Sequence, residues 1–492
     1  MAGNFYNNTK VNGNYWTEDD IEAIEAGFDK LEDHTPTNLM ADIIAGTTAV
    51  EYVSTTDSQT LTNKTLTGMV LGDDYPTILP SLNLDFANAR TLDPRITFTR
   101  NTSATYYDYK GRLSYAAAGE ARFNHDPATL ASKGLLIEEA RTNLLTYSEE
   151  FDNAALSKTR SSVSANATTA PDGTTTAAKL VEDGTASNTH LIQSVVIVAS
   201  ITAYTYSCYV KKAENSYAIV AITGGGIAAL ALAGFSLIDG SLINTSGSVL
   251  DSSSVDAGDG WYRLSVTVNA LSATAIAGRV YLTEDGDTSS LSYTGDGTSG
   301  LYLWGAQLEE GSYPTSYIPT TTAAVIRSAD VYTSATTTRS ADSAVMTGTN
   351  FTDWYNQSEG TFVVDYGVIP DSATTRTVFS ANDTTTNNRV STVVNSSDLL
   401  NPIVQNGTLQ ASFNLGVNMD ANTVALAYEA NNFNYAVNGV AGTTDDSGSV
   451  PTAITQLEVG STTSSFILNT TIKSLTYSPK RLTDAELQAL TS

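Results

Sequence analysis

Near its C-terminus the chain reads Ile472-Lys-Ser-Leu-Thr-Tyr-Ser-Pro-Lys-Arg-Leu-Thr-Asp-Ala-Glu-Leu-Gln-Ala-Leu490. The first part alternates apolar and polar residues, as a strand at the surface of a core does, and Pro479 ends it. Thr483 then stands as the N-cap of a helix with Glu486 at its N3 position, the pair that forms a capping box. The stretch therefore predicts a strand that runs into a short capped helix.

The composition of the 492 residues indicates an all-β protein. Only 16% of the residues are charged and 41% are hydrophobic, and Ser, Thr, Asn and Gly separate short apolar runs. This pattern is typical of β-sandwiches and fibres. The length allows several domains, each with a core of its own.

Charge and cysteine content argue against several functions. The net charge of −27 repels phosphate backbones and anionic membrane surfaces, so we expect no nucleic-acid partner. Cys208 is the single cysteine, which excludes an intrachain disulfide and a cysteine-based metal cluster. The N-terminus lacks the basic and then apolar layout of a secretory signal, so we expect any work outside a cell to depend on another route.

One uncharged segment, residues 218–238, has the length of a membrane-spanning helix. Three consecutive glycines, residues 224–226, would weaken such a helix badly. The apolar runs on either side predict two strands joined by a glycine turn. We therefore expect no membrane insertion.

An amphipathic helix is predicted near the N-terminus. Thr17 is placed as its N-cap, and Trp16 is positioned to pack on the first apolar residue as a hydrophobic staple. A helix this short is marginal alone, so we expect an oligomerisation seam, with folding back onto its own domain as the alternative. The seam residues, at coiled-coil spacing, are Ile21, Ile24, Phe28 and Leu31.

Residues 35–80 are a polar connector that contains Thr60-Leu-Thr-Asn-Lys-Thr-Leu-Thr67. This segment resembles one that is common in bacteriophage tail-fibre proteins, where it lies in an intertwined region between the virion anchor and the distal domains. Leu61 and Leu66 are too few to close a core within one chain. Threefold association is therefore the expected way to bury them.

A longer resemblance covers most of residues 60–330. Its motifs resemble a module that recurs in phage virion proteins together with a carbohydrate-binding-module-like jelly roll, which implies such a jelly roll here. The motifs are Phe98-Thr-Arg-Asn-Thr-Ser-Ala-Thr-Tyr106, Arg122-Phe-Asn-His-Asp126, Gly134-Leu-Leu-Ile-Glu-Glu-Ala-Arg-Thr-Asn-Leu-Leu145 and Gly300-Leu-Tyr-Leu-Trp-Gly-Ala-Gln-Leu-Glu-Glu-Gly311.

The C-terminal stretch resembles the closing segment of a concanavalin A-like (laminin G-like) lectin domain, which implies a two-sheet sandwich that mostly holds sugars or packs against other subunits. The predicted fold class is mainly β, with two β-sandwich (jelly-roll) domains after a short N-terminal helical anchor and a fibre-like connector. The predicted divisions are the anchoring and oligomerising segment 1–34, the connector 35–80, the phage module with its jelly roll 81–322, a linker 323–344 and the lectin-like sandwich 345–492.

The acidic residues predict binding without catalysis. Glycosidases of the concanavalin-like fold carry their acids in an E-x-D-x-E strand, which this chain lacks. The paired acids Glu138-Glu139 and Glu309-Glu310 would point to opposite faces of a strand, which suits a solvated edge better than an active site. The remaining acids of the C-terminal part are scattered: Asp353, Glu359, Asp365, Glu429 and Glu458.

Calcium is left open by the sequence. Several aspartates in predicted loops offer the oxygen ligands that calcium takes. No loop has a complete ligand pattern, so we expect no cofactor, with structural calcium as the alternative. The aspartates are Asp251, Asp256, Asp259, Asp285 and Asp287.

Sugar sites usually combine an exposed aromatic ring with polar groups around it. Trp354 and Tyr355, beside Asp353 and Asn356 in a predicted loop, are the best glycan-binding candidates. Core packing is an equal alternative for the two rings.

These patterns predict a bacteriophage tail fibre protein, attached to the virion by its N-terminus, that recognises host cell-surface glycans through its β-sandwiches. We expect a homotrimer whose partners are other tail or baseplate proteins and host surface polysaccharide. Weak sugar sites gain avidity when several engage together. A purely structural fibre or head decoration protein, and a polysaccharide depolymerase, stay open as alternatives.

Replacing Ile24 and Phe28 by Asp should dissociate the N-terminal assembly, because the seam would then bury unpaired carboxylates. Sedimentation of a fragment of residues 1–90 should shift from trimer to monomer. Ala26→Asp adds one negative charge on the opposite side of the helix and should leave the trimer intact. A trimer that survives the double substitution would refute the seam.

Overall fold

The structure is a computed structural model that describes residues 79–492 except 199, 322–325, 328–329, 332–336, 371–373, 417–421 and 464. Within those residues the chain folds into antiparallel β-sheets with two short helices, which confirms the mainly β prediction. The predicted anchor lies outside the described residues, together with most of the connector. The seam residues Ile21, Ile24, Phe28 and Leu31 lie there as well.

Seven short strands come first. They are β1 (Leu82–Asp85), β2 (Thr97–Thr99), β3 (Ala104–Tyr107), β4 (Leu113–Ala116), β5 (Phe123–His125), β6 (Ser132–Ile137) and β7 (Arg141–Asn143). β3 and β4 form a hairpin. β1, β2, β6 and β7 each pair with a strand from the last third of the chain.

The central sandwich consists of two six-stranded sheets. Its strands are β8 (Ser157–Thr159), β9 (Ser161–Thr168), β10 (Ala177–Glu182), β11 (His190–Ile197), β12 (Ala203–Lys212), β13 (Tyr217–Gly224), β14 (Ala231–Ser236), β15 (Leu242–Ser246), β16 (Asp251–Asp256), β17 (Trp261–Asn269), β18 (Ala275–Thr283) and β19 (Gly300–Glu310). One sheet has the order β16-β17-β12-β19-β10-β9 and the other β15-β14-β13-β18-β11-β8. Cys208, Val220 and Leu264 are fully buried in the core between them.

The uncharged segment 218–238 belongs to this core as two strands, as predicted. β13 ends at Gly224, whose φ of +150° is one that side chains rarely adopt, and a Cβ there would collide with the carbonyl oxygen of Ala275. The glycine is therefore required for the turn. Among the described residues, no helix has the length and apolarity to cross a membrane.

The remaining elements are β20 (Ile326–Arg327), β21 (Asp330–Val331), β22 (Thr337–Arg339), β23 (Ser343–Thr347), α1 (Thr349–Thr352), β24 (Glu359–Tyr366), β25 (Arg376–Asn382), β26 (Asn388–Val394), β27 (Leu400–Asn406), β28 (Thr408–Ser412), β29 (Asn422–Glu429), β30 (Asn434–Val437), β31 (Val440–Ala441), β32 (Gln456–Val459), β33 (Thr470–Ser478) and α2 (Asp484–Thr491). β20 pairs with β21, and β22 pairs with β7. The strands from β23 onward form the C-terminal sandwich.

The C-terminal sandwich takes strands from both ends of the described chain. Its seven-stranded sheet has the order β2-β23-β32-β25-β26-β27-β28, and its eight-stranded sheet has the order β31-β30-β29-β24-β33-β6-β5, with β1 also paired to β33. Leu84 and Ile137 are buried in the same core as Phe362 and Leu457. These sheets therefore run across the predicted division between 81–322 and 345–492.

The stretch from residue 472 to 490 forms the predicted strand and helix. β33 lies between β24 on one side and β1 and β6 on the other. Thr483 Oγ1 accepts a hydrogen bond from Glu486 N–H, and Glu486 Oε2 accepts one from Thr483 N–H, which confirms the capping box. Leu487 packs α2 against the outer side of β29 and β30.

A buried ionic cluster joins the first strands to both sandwiches. Arg122 donates to Glu138 at 2.6 Å and to Asp342 at 2.5 Å. Arg100 pairs with Asp342 at 3.2 Å, and Arg339 lies 3.3 Å from Glu138. We call these five residues, which are all buried, the ionic cluster. The backbone N–H of Ser316, just after β19, also donates to Glu138 at 2.8 Å.

The cluster corrects one expectation, because the paired acids are not at a solvated edge. Burial alone would raise the pKa of Glu138, but Arg339 and Arg122 lower it to about 2. Glu309 is also fully buried, where burial raises its pKa and the backbone N–H and hydroxyl of Thr315 donate to its carboxyl group. In each pair the first acid faces inward, where charged or polar groups donate hydrogen bonds to its carboxylate.

Asp342→Asn should reduce the free energy of unfolding by about 3–5 kcal/mol, because it keeps the shape of the side chain and leaves three buried arginines with one carboxylate. Urea unfolding would measure the loss. Lys133→Ala is the matched control, since it breaks a partly exposed pair with Asp126 and should cost less than about 1 kcal/mol. Equal losses in the two variants would contradict the role of the ionic cluster.

Candidate functional site

The aromatic pair predicted for glycan binding lies in the core of the C-terminal sandwich. Trp354 and Tyr355 are 6% and 8% exposed. The ring of Tyr355 stacks on Phe351 with 4.7 Å between centroids and on Tyr477 with 5.3 Å. The indole N–H of Trp354 donates to the carbonyl of Asn350 at 2.7 Å. Both rings therefore have the packing role that the sequence left open.

The polar neighbours of this pair do not surround a ligand platform. The side chain of Asn356 donates to the carbonyl of Pro479 at 2.9 Å and accepts from the N–H of Ser358 at 3.0 Å, so it fixes the loop that leads into β24. Asp353 is exposed. A sugar could stack on Trp354 only if the core opened first.

Three of the aspartates considered for calcium, Asp256, Asp285 and Asp287, accept backbone hydrogen bonds in turns. Asp256 accepts from the N–H of Gly258, and Asp287 accepts from Asn244 and Ser289. Within the described ranges no group of three or more His, Cys, Asp or Glu could hold a metal ion. Asp251, Asp256 and Asp259 lie in or after β16, whereas Asp285 and Asp287 follow β18 in the other sheet.

Two rows of side chains lie on the outer face of the seven-stranded sheet. Each row runs straight across β32, β25, β26 and β27, because its members are directly paired. Side chains two residues apart share one face of a strand, so both rows lie on one surface, which we call the polar face. The first row is Gln456, Asn382, Arg389 and Gln405, and the second is Glu458, Ser380, Ser391 and Ile403.

The residues between the two rows show that the polar face points away from the core. They are fully buried inside the sandwich: Leu457, Ala381, Val390 and Val404. Adjacent strands lie about 4.8 Å apart, so each row spans about 14 Å. Ser380 and Ser391 are buried, while Arg389, Gln405 and Gln456 are half-buried. The two short serine side chains therefore lie between longer side chains.

One end of the polar face is held together by its own hydrogen bonds. Glu458 accepts from the amide groups of Gln456 at 2.8 Å and Asn382 at 3.3 Å. It also accepts from the N–H of Thr463 at 2.8 Å and the hydroxyl of Ser461 at 3.0 Å. The carboxylate is therefore satisfied, and it fixes its two amide neighbours in place.

The other end of the polar face offers groups without partners. Among the described residues, neither the guanidinium of Arg389 nor the amide of Gln405 has a hydrogen-bond partner, and the Nε of Arg389 and the hydroxyl of Ser391 are buried without one. Burial lowers the pKa of Arg389, and no carboxylate offsets this effect. Most buried polar groups in proteins are paired, so this end needs an explanation.

Arg389 differs from the other cations of the C-terminal sandwich in having no carboxylate partner among the described residues. Residues 345–492 contain five lysines and arginines, all of them described. Four of the five pair with a carboxylate within 4 Å: Arg376 with Glu139, Lys473 with Asp365, Lys480 with Glu359 and Arg481 with Asp484. The isolation of Arg389 is therefore a local feature of the polar face.

The polar face is not among the sites predicted from the sequence. Its residues alternate with apolar ones, as in Gln456-Leu-Glu458 and Arg389-Val-Ser391, and this alternation assigns them to one side of each strand. The missing information is the register that aligns four strands. Without the register, Glu458 cannot be told apart from the other scattered acids of the C-terminal part.

Trp354→Ala should lower the free energy of unfolding by about 3–5 kcal/mol, because the ring fills the core between Phe351 and Tyr477. Its urea unfolding midpoint should fall accordingly. Asp353→Ala changes the exposed neighbour and should alter stability by less than about 0.5 kcal/mol. A Trp354→Ala variant as stable as the wild type would contradict the core position of the ring.

Comparison with known proteins gives no family. No family model and no curated protein matches the chain. Among solved structures, the sialidase CBM40 of Ruminococcus gnavus is 18% identical over 28% of this chain and 84% of its own, with a TM-score of 0.25. Trypanosoma rangeli sialidase is 11% identical over 64% of this chain and 60% of its own, also with a TM-score of 0.25. At such TM-scores neither likeness carries an argument about this chain.

Proposed function

We propose that this chain is a glycan-binding adhesin of the bacteriophage tail-fibre class, and that the polar face holds the sugar. The observation that carries the proposal is the pair of unpartnered, half-buried side chains Arg389 and Gln405 at one end of that face. A sugar hydroxyl is both a donor and an acceptor. The guanidinium and the amide group, which are both half-buried, can therefore each bond to one.

The scaffold suits recognition because it holds these groups on adjacent paired strands. Arg389 and Ser391 lie on β26, and Gln405 lies opposite Arg389 on β27. The neighbouring side chains Asn382 and Gln456 are fixed by Glu458. A ligand then has only the side chains of Arg389 and Gln405 to immobilise, which limits the entropic penalty of binding.

We infer adhesion without catalysis. Glycoside hydrolysis ordinarily uses two carboxyl groups, about 5–9.5 Å apart, on either side of the scissile bond. The two rows of the polar face contribute one carboxylate, that of Glu458, and it already accepts four hydrogen bonds. Its arrangement favours a structural role for this acid.

The virion context of the proposal rests on the sequence resemblances. The N-terminal segment would attach a homotrimer to other tail or baseplate proteins, and the protein would be made in the host cytoplasm. Single hydrogen bonds contribute only about 0.5–1.5 kcal/mol each, so one such site is weak. Three polar faces in one trimer would bind a repetitive polysaccharide with avidity.

A purely structural fibre is the second candidate. The burial of Trp354 and Tyr355 favours it, because exposed rings are the usual stacking platform for sugars. In that case the polar face would contact another virion protein. Glycan affinity separates the two candidates.

Gln405→Ala should weaken binding of the full-length protein to its preferred polysaccharide about fivefold, since it removes one neutral hydrogen bond of about 1 kcal/mol. The affinities would be measured by calorimetry after a screen of bacterial surface polysaccharides. Gln488→Ala, on the exposed side of α2, is the matched control and should bind like the wild type.

Point variants are preferable to deletion of residues 345–492, because that deletion would remove the strand partners of β1, β2 and β6. No binding of the wild type to any polysaccharide would refute adhesion and favour the structural fibre. Binding that Gln405→Ala leaves unchanged would move the sugar site to another surface.

A further inference from the structure

The isolation of Arg389 has a chemical implication for the ligand. A cation that is largely removed from water and lacks a counter-ion destabilises the folded protein. Proteins therefore pair such charges, as this sandwich does with Arg376 and Arg481, its two other arginines. An unpaired guanidinium on a surface with free hydrogen-bonding groups fits a ligand that brings the negative charge with it.

The acids near Arg389 are engaged elsewhere. Glu458 stands two strands away, on β32, and is satisfied by four hydrogen bonds. Asp383 follows β25, and its carboxylate accepts from the amide of Asn388 at 2.6 Å and from the hydroxyl and N–H of Thr385. The described residues thus leave the guanidinium available to an external anion.

The charge and shape of the site select among anions. One cation balances a single negative charge, whereas a phosphate monoester carries about −1.5 to −2 at neutral pH. The planar guanidinium matches a planar carboxylate with two parallel hydrogen bonds. The amide of Gln405, directly opposite Arg389 and half-buried, can bind a hydroxyl group beside that carboxylate.

We propose that the polar face recognises an acidic sugar and that Arg389 binds its carboxylate. This inference rests on the proposed function of the same face and names the substrate class. The carboxylate belongs to a uronic acid or to a 2-keto-acid sugar. Both offer the same planar anion next to hydroxyl groups.

The test uses the full-length protein and four polymers: alginate as the uronic acid, polysialic acid as the 2-keto acid, dextran as a neutral glycan and dextran sulfate as an anion without carboxylates. The acidic polymers are also used after reduction of their carboxyl groups to alcohols. The wild type should bind one native acidic polymer about ten- to a hundredfold more tightly than its reduced form, as expected for a hydrogen bond between charged groups. The acidic polymer whose affinity falls when its carboxyl groups are reduced identifies the class of sugar.

Arg389→Gln should bind the native polymer only as tightly as the wild type binds the reduced one, and reduction should not weaken it further. Arg389→Lys keeps the charge without the planar fork and should retain part of the preference. Arg90→Gln removes the same charge from an exposed position and should bind like the wild type. The urea midpoint of Arg389→Gln should stay the same or rise, because an unpaired, half-buried charge is lost.

The outcomes separate the inference from the proposed function. If Gln405→Ala weakens binding while carboxyl reduction and Arg389→Gln do not, the face binds glycans but not through a carboxylate. Equal affinity for dextran sulfate and the acidic polymers would overturn the inference in favour of general anion attraction, and preference for dextran would overturn it in favour of a neutral sugar. No binding to these polymers or to any surface polysaccharide would overturn both proposals.

Discussion

The ionic cluster is the constraint on which the architecture depends. Each buried charge costs several kcal/mol to remove from water, and only complete pairing offsets that cost. The charge of Arg122 is fully paired only when Glu138 and Asp342 both contact it. These two acids are about two hundred residues apart in sequence. In the folded protein the cluster therefore links the first strands to the C-terminal sandwich and, through Ser316, to the segment after β19.

The cluster also determines where the polar face lies. Glu138 directly follows β6 in the eight-stranded sheet, whereas Asp342 directly precedes β23 in the seven-stranded sheet. β23 pairs with β32, and β32 with β25, where the rows of the polar face begin. A slip of one residue in this series would turn Gln456 and Glu458 into the core and Leu457 outward. The buried charges at one edge of the sheet thus help to keep the candidate site in register.

The sequence predicts what neighbouring residues determine and fails where distant residues decide. The capping box at Thr483 and the glycine turn at Gly224 follow from local chemistry, and the structure has both. That β1 and β6 complete the C-terminal sandwich depends on long-range pairing that no local pattern encodes. The sequence left the role of Trp354 open for the same reason: whether its ring faces inward is decided by Tyr477, more than a hundred residues later.

The acidity of the whole chain and the cation of the polar face act on an acidic glycan at different distances. The net charge of −27 is spread over all 492 residues, and its field is screened within about 8 Å at physiological ionic strength, so it mainly slows the approach of an anion. Arg389 acts at contact and is half-buried, where salt screens it less. Long-range repulsion and short-range attraction together disfavour loosely held polyanions. They favour a carboxylate that reaches the guanidinium, so the chain's acidity adds selectivity to a site built around one positive charge.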